Sequence, residues 1–315
     1  MSEGALRAAV IGVGHLGRHH ARILSSVDGA TLTAVVDVNE PRAREIAAAC
    51  GARPLTDARD LAGQVDLVSI ATPTETHAEI AALFLERGVP VLVEKPLARS
   101  VAEADAIIAA AARGGAALAV GHTERFNPAV MAARPAVQHP QFVEVHRLGT
   151  FPERSLDIDV VFDLMIHDLD LVLSIVQSEV VSIDAVGVPV LTDRFDIANA
   201  RLHFASGCVA NITASRISRD RTRKIRFFQR DAYISIDTGS KEAEVYRLVR
   251  SADRRPVIEG GKIPVPDGEP LRNELQDFVD AVRFGRAPLV GGSDGRRAVA
   301  LAAEITERMA ACIRT

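Results

Sequence analysis

Lys95 is the first side chain in this sequence that is placed to do chemistry. It follows the apolar run Val91-Leu92-Val93 and Glu94, and Pro96 comes next, so the lysine falls at the carboxyl end of a predicted strand. An amine there could accept the proton of an alcohol hydroxyl while hydride leaves the carbon that bears that hydroxyl. Free lysine has a pKa of about 10.4 and is a poor base at neutral pH, but desolvation and a nearby positive charge would both lower that pKa. The alternative is a surface lysine that ends a strand before a turn.

Asp163, His167 and Asp170 form a second candidate cluster, in a helix predicted over about residues 160–176. Their spacing of i, i+4 and i+7 places them on one helix face. A histidine between carboxylates can exchange protons near neutral pH, and either acid could fix its tautomer. The alternatives are a solvated polar stripe and a shared metal ion, but no further ligand cluster accompanies the pair and we expect no metal. Asp168 should point away from this face, towards solvent.

A glycine-rich turn near the amino terminus has the spacing of a dinucleotide-binding fingerprint. The apolar run at residues 8–11 leads directly into Gly12-Val13-Gly14-His15-Leu16-Gly17. One glycine allows the tight strand-to-helix turn, one lets the backbone approach a pyrophosphate, and one lets helix and strand pack closely. The pyrophosphate would lie at the helix amino terminus, where N–H groups and the helix dipole favour negative charge. The alternative is a turn that binds nothing. His15, His19 and His20 should face solvent or the phosphates.

Asp37 indicates which dinucleotide would bind. It ends a second apolar run, residues 32–36, and comes twenty residues after Gly17. A carboxylate there can accept hydrogen bonds from both ribose hydroxyls and would repel a 2′-phosphate. We therefore expect NAD rather than NADP, although Arg42 and Arg44 are close enough in sequence to weaken that preference.

The elements that must position these residues divide the 315-residue chain into two predicted domains, residues 1–122 and 123–315. In the first, apolar runs alternate with alanine-rich helical stretches, which predicts βαβ units and a doubly wound parallel sheet of Rossmann type, an α/β fold. Connections of this kind are right-handed, so the strand ends converge on one edge, where ligands bind. Later strands are expected at residues 65–71, 89–93 and 117–120.

The second domain has shorter runs in which apolar and polar residues alternate. This pattern predicts an α+β domain built on an open, mostly antiparallel sheet. Strands are expected at residues 142–148, 180–188, 198–204, 208–214, 224–229 and 233–236, and closing helices at about 271–283 and 296–313. Residues 251–266, with their charges, glycines and prolines, are expected to be the most loop-like segment.

Composition excludes several classes of protein. The formal net charge is −4 at pH 7, and the basic segment at residues 216–226 has no aromatic side chains on which bases could stack, so we expect no nucleic acid partner. No stretch approaches the ~18 apolar residues of a membrane span, so no membrane partner is expected either. Three widely spaced cysteines suggest neither a disulfide framework nor a zinc site, and they fit the reducing cytoplasm.

Five motifs together resemble the Gfo/Idh/MocA oxidoreductase family over nearly the whole chain. They are Gly12-x-Gly14-x-x-Gly17, Thr72-Pro73-x-x-x-His77, Glu94-Lys95-Pro96, Arg125-Phe126-Asn127-Pro128 and Asp163-x-x-x-His167. The resemblance implies an NAD-dependent dehydrogenase acting on a CH–OH group, with Lys95 and His167 as catalytic pair and Asp163 as substrate-side partner. It also implies a homodimer or homotetramer. The cofactor-binding residues are then expected to be Gly12, Gly14, His15, Leu16, Gly17, Asp37, Thr72, Pro73, His77, Glu94 and Lys95.

The segments at residues 121–128 and 162–170 resemble the branch of this family that oxidises the 3-hydroxyl of UDP-N-acetylglucosamine to a ketone, a step that feeds lipid A or related surface sugars in bacteria. On that resemblance the substrate ligands are Lys95, Glu124, Arg125, Asn127, Asp163 and His167. Independently, Arg216 and the basic segment it begins could bind a diphosphate, since guanidinium groups match phosphate oxygens. A charged solvent face with cross-strand ion pairs is the alternative. A free polyol substrate such as inositol, or a non-catalytic NAD-binding regulator, is also open.

Overall fold

The computed structural model describes residues 4–151, 158–251 and 254–313 and forms two compact units. The first unit comprises Met1–Thr123 with Glu269–Val299, and the second comprises Glu124–Gly268 with Ala300–Thr315. This division differs from the predicted one, because the chain returns to the first unit after Gly268.

The first unit is built on a six-stranded parallel sheet. Its strands are β1 (Leu6–Ile11), β2 (Ala30–Val36), β3 (Arg53–Leu55), β4 (Leu67–Ile70), β5 (Val91–Glu94) and β6 (Leu118–Gly121). They lie in the order β3-β2-β1-β4-β5-β6, and every pair is parallel. The order reverses beside β1, so the carboxyl ends of β1 and β4 flank the switch point at which ligands bind in such sheets. The predicted Rossmann architecture is confirmed.

Helices connect these strands and cover the sheet. They are α1 (Gly17–Leu24), α2 (Glu40–Cys50), α3 (His77–Leu85) and α4 (Val101–Gly114). Every residue of β4, β5 and β6 is buried, as expected where helices pack on both faces. The side chains of Asn39 and Ser100 cap α2 and α4. Each accepts a hydrogen bond from the backbone N–H three residues later, of Arg42 and Glu103 respectively.

The second unit is built on an eight-stranded sheet. Its strands are β7 (Phe142–Leu148), β8 (Val180–Val188), β9 (Ile197–Phe204), β10 (Val209–Ser215), β11 (Thr222–Gln229), β12 (Ala232–Asp237), β13 (Glu242–Ser251) and β14 (Arg254–Lys262). They lie in the order β14-β13-β12-β11-β7-β10-β9-β8, and only the β7–β10 pair among these strands is parallel. In β9 the side chains alternate between buried and accessible, so one face of the sheet carries the core. The predicted mostly antiparallel sheet is confirmed.

Strand β14 corrects the prediction of a loop at residues 251–266. It pairs with β13 along most of its length, and its side chains from Arg255 to Glu259 are exposed. A strand at the edge of a sheet needs no alternation of apolar residues, and it tolerates Pro256 because one of its sides makes no ladder hydrogen bonds. The sequence pattern therefore resembled a loop. Residues 252–253 of that segment lie outside the described ranges.

The described residues contain four further α-helices: α5 (Pro128–Ala133), α6 (Ile166–Val176), α7 (Pro270–Phe284) and α8 (Gly292–Ile313). The helix predicted over about residues 160–176 starts with a wider, π-helical turn at Val161–Met165 before α6. Such turns often occur at functional sites. In α7, Leu275, Phe278 and Val279 lie on one face and belong to the core of the first unit, which is why this helix is not part of the second unit as predicted.

Among the helices of the described ranges, none combines the length and the apolarity that a membrane span requires.

Candidate active site

The glycine turn of the first unit has the backbone geometry that a dinucleotide needs. Gly12 has a φ of 82°, a left-handed conformation that favours glycine. A Cβ atom on Gly17 would lie 1.7 Å from the carbonyl oxygen of Gly12, so only glycine lets α1 start this close to β1. Around Gly14 the space is open, and the nearest atom to an added Cβ would be on Arg42, 4.0 Å away. The turn thus leaves room for a pyrophosphate at the amino end of α1, and these residues fit NAD.

Asp37 stands at the end of β2, where the sequence predicted it. Its carboxylate accepts hydrogen bonds from the backbone N–H of Val13, at 3.0 Å, and of Asn39, at 2.9 Å. The glycine turn itself therefore orients the carboxylate, which retains lone pairs for ribose hydroxyls. Arg42 lies 3.8 Å from the same carboxylate and is about half exposed, so its charge is partly screened by solvent.

Thr72, Pro73 and His77 follow β4 on the same edge of the sheet. The His77 ring faces two backbone carbonyls, with Nδ1 3.1 Å from the oxygen of Pro96 and Nε2 2.9 Å from that of Thr72. His77 is only 1% exposed. The structure therefore gives it a positioning role, in which it ties the loop after β4 to the loop after β5, in place of the predicted contact with the cofactor. Thr72 and Pro73 remain partly accessible at this edge.

Glu94 is the last residue of β5 and Lys95 follows it, and the two side chains have different surroundings. Lys95 is partly exposed, whereas Glu94 is buried. One Glu94 oxygen lies 2.9 Å from Nε2 of His20, and the other accepts a hydrogen bond from the Lys95 backbone N–H at 3.0 Å. Burial alone would raise the pKa of Glu94, but the hydrogen bond to His20 and the charges of His20 and Lys95 lower it below its usual value. Glu94 is thus a buried anion next to Lys95 with both carboxylate oxygens hydrogen-bonded inside the first unit, which argues against the predicted contact with the cofactor.

The prediction for His20 was wrong. It was expected to face solvent or the phosphates, but it is fully buried, with Nδ1 2.8 Å from the Ser69 hydroxyl of β4. Its spacing to the buried residues Ile23 and Leu24 of α1, three and four positions on, was the signal that it faces the sheet.

In the second unit, Asp163 and His167 lie one helical turn apart and are both partly exposed. Asp163 belongs to the wider turn and His167 to the first turn of α6. The predicted pair is therefore kept together on an accessible face. Asp170 leaves that face, because it is buried in a two-pronged ion pair with Arg125, at 2.7 and 2.8 Å.

Asp168 is also buried, so the prediction that it faces solvent was wrong. It accepts two hydrogen bonds from Arg147 of β7, at 2.6 and 2.9 Å, and Arg147 donates a third to Glu124 at 3.0 Å. Burial alone would lower the pKa of Arg147, but the charges of Asp168 and Glu124 raise it above its usual value. Two buried ion pairs therefore anchor α6 and with it His167. The residues flanking a candidate histidine can serve to fix its helix rather than to share its proton.

The predicted substrate ligands of the Arg125-Phe126-Asn127-Pro128 motif serve mainly as scaffold. Arg125 is occupied by Asp170, as described above. Asn127 caps α5 by accepting a hydrogen bond from Ala129, and its amide donates to the Thr238 carbonyl and to Glu124. Both Arg125 and Asn127 are buried, whereas Glu124 keeps some exposure. We correct the prediction for Arg125 and Asn127, since their polar groups are used within the unit.

Arg216 also departs from its predicted role as a diphosphate ligand. It is 1% exposed and donates to Asp196 at 2.9 Å, to the Ile158 carbonyl at 2.7 Å and to the Thr192 hydroxyl at 3.0 Å. A guanidinium enclosed in this way has no face left for a substrate. Further along the same segment Arg226 pairs with Glu144 across β11 and β7 at 2.7 Å, which is the cross-strand ion pairing that the sequence had left as the alternative.

Comparison with known proteins gives the same architecture. Residues 6–122 match the family model described as the Gfo/Idh/MocA oxidoreductase family with an NAD-binding Rossmann fold. Residues 136–239 match the model of the Gfo/Idh/MocA C-terminal domain.

Similar proteins are sugar and polyol dehydrogenases. A UDP-N-acetylglucosamine 3-dehydrogenase of Acidithiobacillus ferrooxidans is 41% identical over 306 residues, covering 95% of this chain and 96% of that protein. An inositol 2-dehydrogenase of Rhizobium meliloti is 30% identical over 331 residues, covering 94% of each. The solved structure of the Acidithiobacillus enzyme superimposes with a TM-score of 0.91 at 38% identity over 98% of both chains. Levoglucosan dehydrogenase in complex with NADH and levoglucosan gives a TM-score of 0.87 at 22% identity over 97% of each, which shows a shared fold alone.

Proposed function

The chain belongs to the Gfo/Idh/MocA family of NAD-binding oxidoreductases, and we propose that it oxidises the 3-hydroxyl of a UDP-N-acetylhexosamine to a 3-keto sugar. One observation carries the choice of substrate: the similarity to the nucleotide-sugar enzyme is 41% over nearly the full length, against 30% for the inositol enzyme. The fold by itself does not select a sugar.

When bound, NAD supplies the hydride acceptor. Lys95 is the base that takes the proton of the reacting hydroxyl, and it stands at the carboxyl end of β5, on the ligand-binding edge of the sheet. His167 is its catalytic partner and hydrogen-bonds the substrate, with Asp163 binding on the substrate side. The support for the second pair is that both side chains remain accessible while their neighbours Asp168 and Asp170 are buried in ion pairs.

The remaining residues hold these groups in place. Asp37 favours NAD over NADP because its oriented carboxylate would repel a 2′-phosphate. Thr72 and Pro73 line the cofactor-binding edge of the first unit. Glu124 is hydrogen-bonded to Arg147 and Asn127 but remains partly exposed, so its carboxylate can still bind a substrate. His77 and Glu94 do not contact the substrate in this proposal. Their hydrogen bonds fix the two loops that carry Thr72 and Lys95.

We also propose a homodimer or homotetramer that forms through the open face of the eight-stranded sheet. Four aromatic rings cross four strands there in a continuous row, with centroids 5.6, 5.2 and 6.1 Å apart: Phe142, Phe228, Tyr233 and Tyr246. A continuous row of aromatic side chains on a sheet surface is typical of a surface that a second copy covers. The free thiols of Cys50 and Cys208 support an enzyme of the reducing cytoplasm.

The experiment that tests the function is a substrate panel. UDP-N-acetylglucosamine, UDP-N-acetylgalactosamine, UDP-glucose and free inositol are each supplied with NAD or NADP, and formation of reduced cofactor is followed by absorbance. We expect turnover with NAD and a UDP-N-acetylhexosamine, and a product that has lost the 3-hydroxyl in its NMR spectrum. Turnover of inositol with none of the UDP-sugars would establish the polyol alternative. Binding of NAD without turnover of any sugar would establish the non-catalytic regulator.

A further inference from the structure

A fully buried histidine links the helix that starts at the glycine turn to the strand that carries Lys95. His20 lies on the face of α1 that packs against the sheet, and it has no exposed surface. Its two ring nitrogens bond to two different strands, Nδ1 to Ser69 of β4 at 2.8 Å and Nε2 to Glu94 of β5 at 2.9 Å. A buried imidazole with a specific partner on each nitrogen is held in one orientation.

Glu94 is confined from several sides. Its second oxygen accepts the backbone N–H of Lys95 at 3.0 Å. On the side of β6, a Cβ added to Gly121 would lie 3.0 Å from the Glu94 carboxyl carbon, so the carboxylate packs directly against this glycine and a larger residue there would crowd it. The carboxylate is thus clamped between His20, Gly121 and the peptide N–H from which the Lys95 side chain extends.

The hydroxyl of Ser69 makes this arrangement robust to the protonation of His20. A hydroxyl can donate to an unprotonated Nδ1 or accept from a protonated one. In both cases Nε2–H donates to the Glu94 carboxylate, so the Glu94 oxygen is satisfied either way. The neutral and the charged imidazole therefore hold Glu94 in the same place.

We propose that His20 is a positioning residue for Lys95: it fixes the Glu94 carboxylate, and Glu94 fixes the peptide from which the catalytic amine projects. The inference rests on the proposed role of Lys95 as base. It assigns to the His20–Glu94 hydrogen bond a function in catalysis, beyond a contribution to the folding of the first unit. A displacement of about 1 Å at a reacting group can cost up to about 100-fold in rate, so small losses of order at Glu94 matter.

Two substitutions of the same residue separate the two bonds of the ring. A glutamine amide can take the place of Nε2 and keep the bond to Glu94, whereas an asparagine amide takes the place of Nδ1 and keeps only the bond to Ser69. We therefore compare His20→Gln with His20→Asn. His19→Gln, on the same helix but partly exposed, is the matched control. Each variant is assayed for melting temperature, NAD binding by calorimetry, and kcat and KM for the sugar.

A readout independent of turnover is available because the chain has only four lysines, Lys95, Lys224, Lys241 and Lys262. Competitive labelling with trace isotopic acetic anhydride, followed by peptide mass spectrometry, gives the reactivity of each amine as a function of pH. The three other lysines serve as internal standards in every sample.

We expect His20→Asn to lower kcat about 10- to 100-fold and to change the pH profile of Lys95 labelling, with NAD affinity within about threefold of wild type. His20→Gln should restore both readouts to within about threefold, and His19→Gln should match wild type. Equal Lys95 profiles in the asparagine and glutamine variants would overturn the proposal, as would a wild-type profile in both. If His20→Asn does not fold, Glu94→Ala replaces it, and an unchanged Lys95 profile in that variant would again overturn the proposal. If the wild-type protein oxidises no sugar, the proposed function fails while the labelling comparison still decides the role of His20.

Discussion

The Arg147–Asp168 ion pair gives a quantitative test of how the second unit holds α6. Both side chains are almost completely buried, and two hydrogen bonds of 2.6 and 2.9 Å join them. Removing one partner of a buried pair leaves an uncompensated charge and costs about 3–5 kcal/mol, whereas replacing both by apolar residues of similar size is often neutral or stabilising. We therefore predict a loss of about 3–5 kcal/mol for Arg147→Met and a smaller loss for Asp168→Leu. The double variant should recover most of the Arg147→Met loss, because it removes the buried Asp168 charge and leaves only Glu124 without its partner.

The asymmetry between the single variants follows from Glu124. In Asp168→Leu the guanidinium of Arg147 keeps its bond to Glu124 at 3.0 Å, whereas Arg147→Met strips a partner from two carboxylates at once. For a domain of this size, each kcal/mol shifts the melting temperature by about 2–4 °C, so Arg147→Met should lower it by about 6–20 °C. Calorimetry and chemical denaturation of all four proteins complete the double-mutant cycle.

The deficit of Arg147→Met should also depend on pH in a defined direction. Burial raises the folded-state pKa of Asp168 above its usual value even with Arg147 present, whose charge and hydrogen bonds oppose the rise. Without the guanidinium the folded-state pKa should lie still further above the unfolded value of about 3.9. The folded state then binds more protons than the unfolded state, so stability falls as pH rises above about 4, by up to about 1.4 kcal/mol per pH unit until the folded pKa is passed. The variant should therefore be closer to wild type at about pH 5 than at about pH 8. Single losses below about 1 kcal/mol, or a double variant whose loss is the sum of the singles, would refute the reasoning.

Three further predictions concern single positions. Lys95→Ala should lower kcat by about 100-fold or more while NAD affinity, measured by calorimetry, stays nearly intact, and near-normal turnover would remove Lys95 from the mechanism. Gly17→Ala should abolish NAD binding or folding, because the added methyl would lie 1.7 Å from the Gly12 carbonyl oxygen, and a variant with wild-type affinity for NAD would contradict that geometry. Arg216→Met should lower the melting temperature, since it leaves buried Asp196 without its guanidinium, and should not raise KM for a UDP-sugar selectively; a selective rise in KM would return Arg216 to the substrate site.

The parts of the fold that the sequence predicted depend on local or periodic signals. The glycine turn, Asp37 and the strand that ends before Lys95 are each specified within a few residues, and the parallel sheet follows from the alternation of strands and helices. The return of α7 to the first unit, in contrast, is not specified by a local or periodic signal. Its buried stripe, which includes Leu275 and Phe278, identifies an amphipathic helix but does not say which of two cores the helix completes. Partner choice of this sort is a tertiary property, so the predicted boundary at residue 122 missed it.

The candidate site shows the same division at the level of single side chains. Motif spacing selected Lys95, His167 and Asp163 as candidates, and these remain partly exposed. The same motifs also contain His77, Glu94, Arg125 and Asn127, whose polar atoms are used inside the protein. A buried ion pair or a buried carbonyl-bonded histidine demands one residue type as strictly as catalysis does, because an unpaired polar group in the interior costs several kcal/mol. Residue type and spacing therefore cannot separate a ligand from a support.

The burial of each side chain distinguishes residues that can bind a ligand from residues that support the fold. This distinction changes how variants of this enzyme should be interpreted. A substitution at partly exposed Lys95, Asp163 or His167 removes chemistry from a scaffold that persists, so kcat should fall with little change in melting temperature. A substitution at Arg125 removes the partner of buried Asp170 first, so stability and activity should fall together. Loss of activity in an Arg125 variant is thus no evidence that Arg125 binds the sugar, unless the melting temperature is shown to be unchanged.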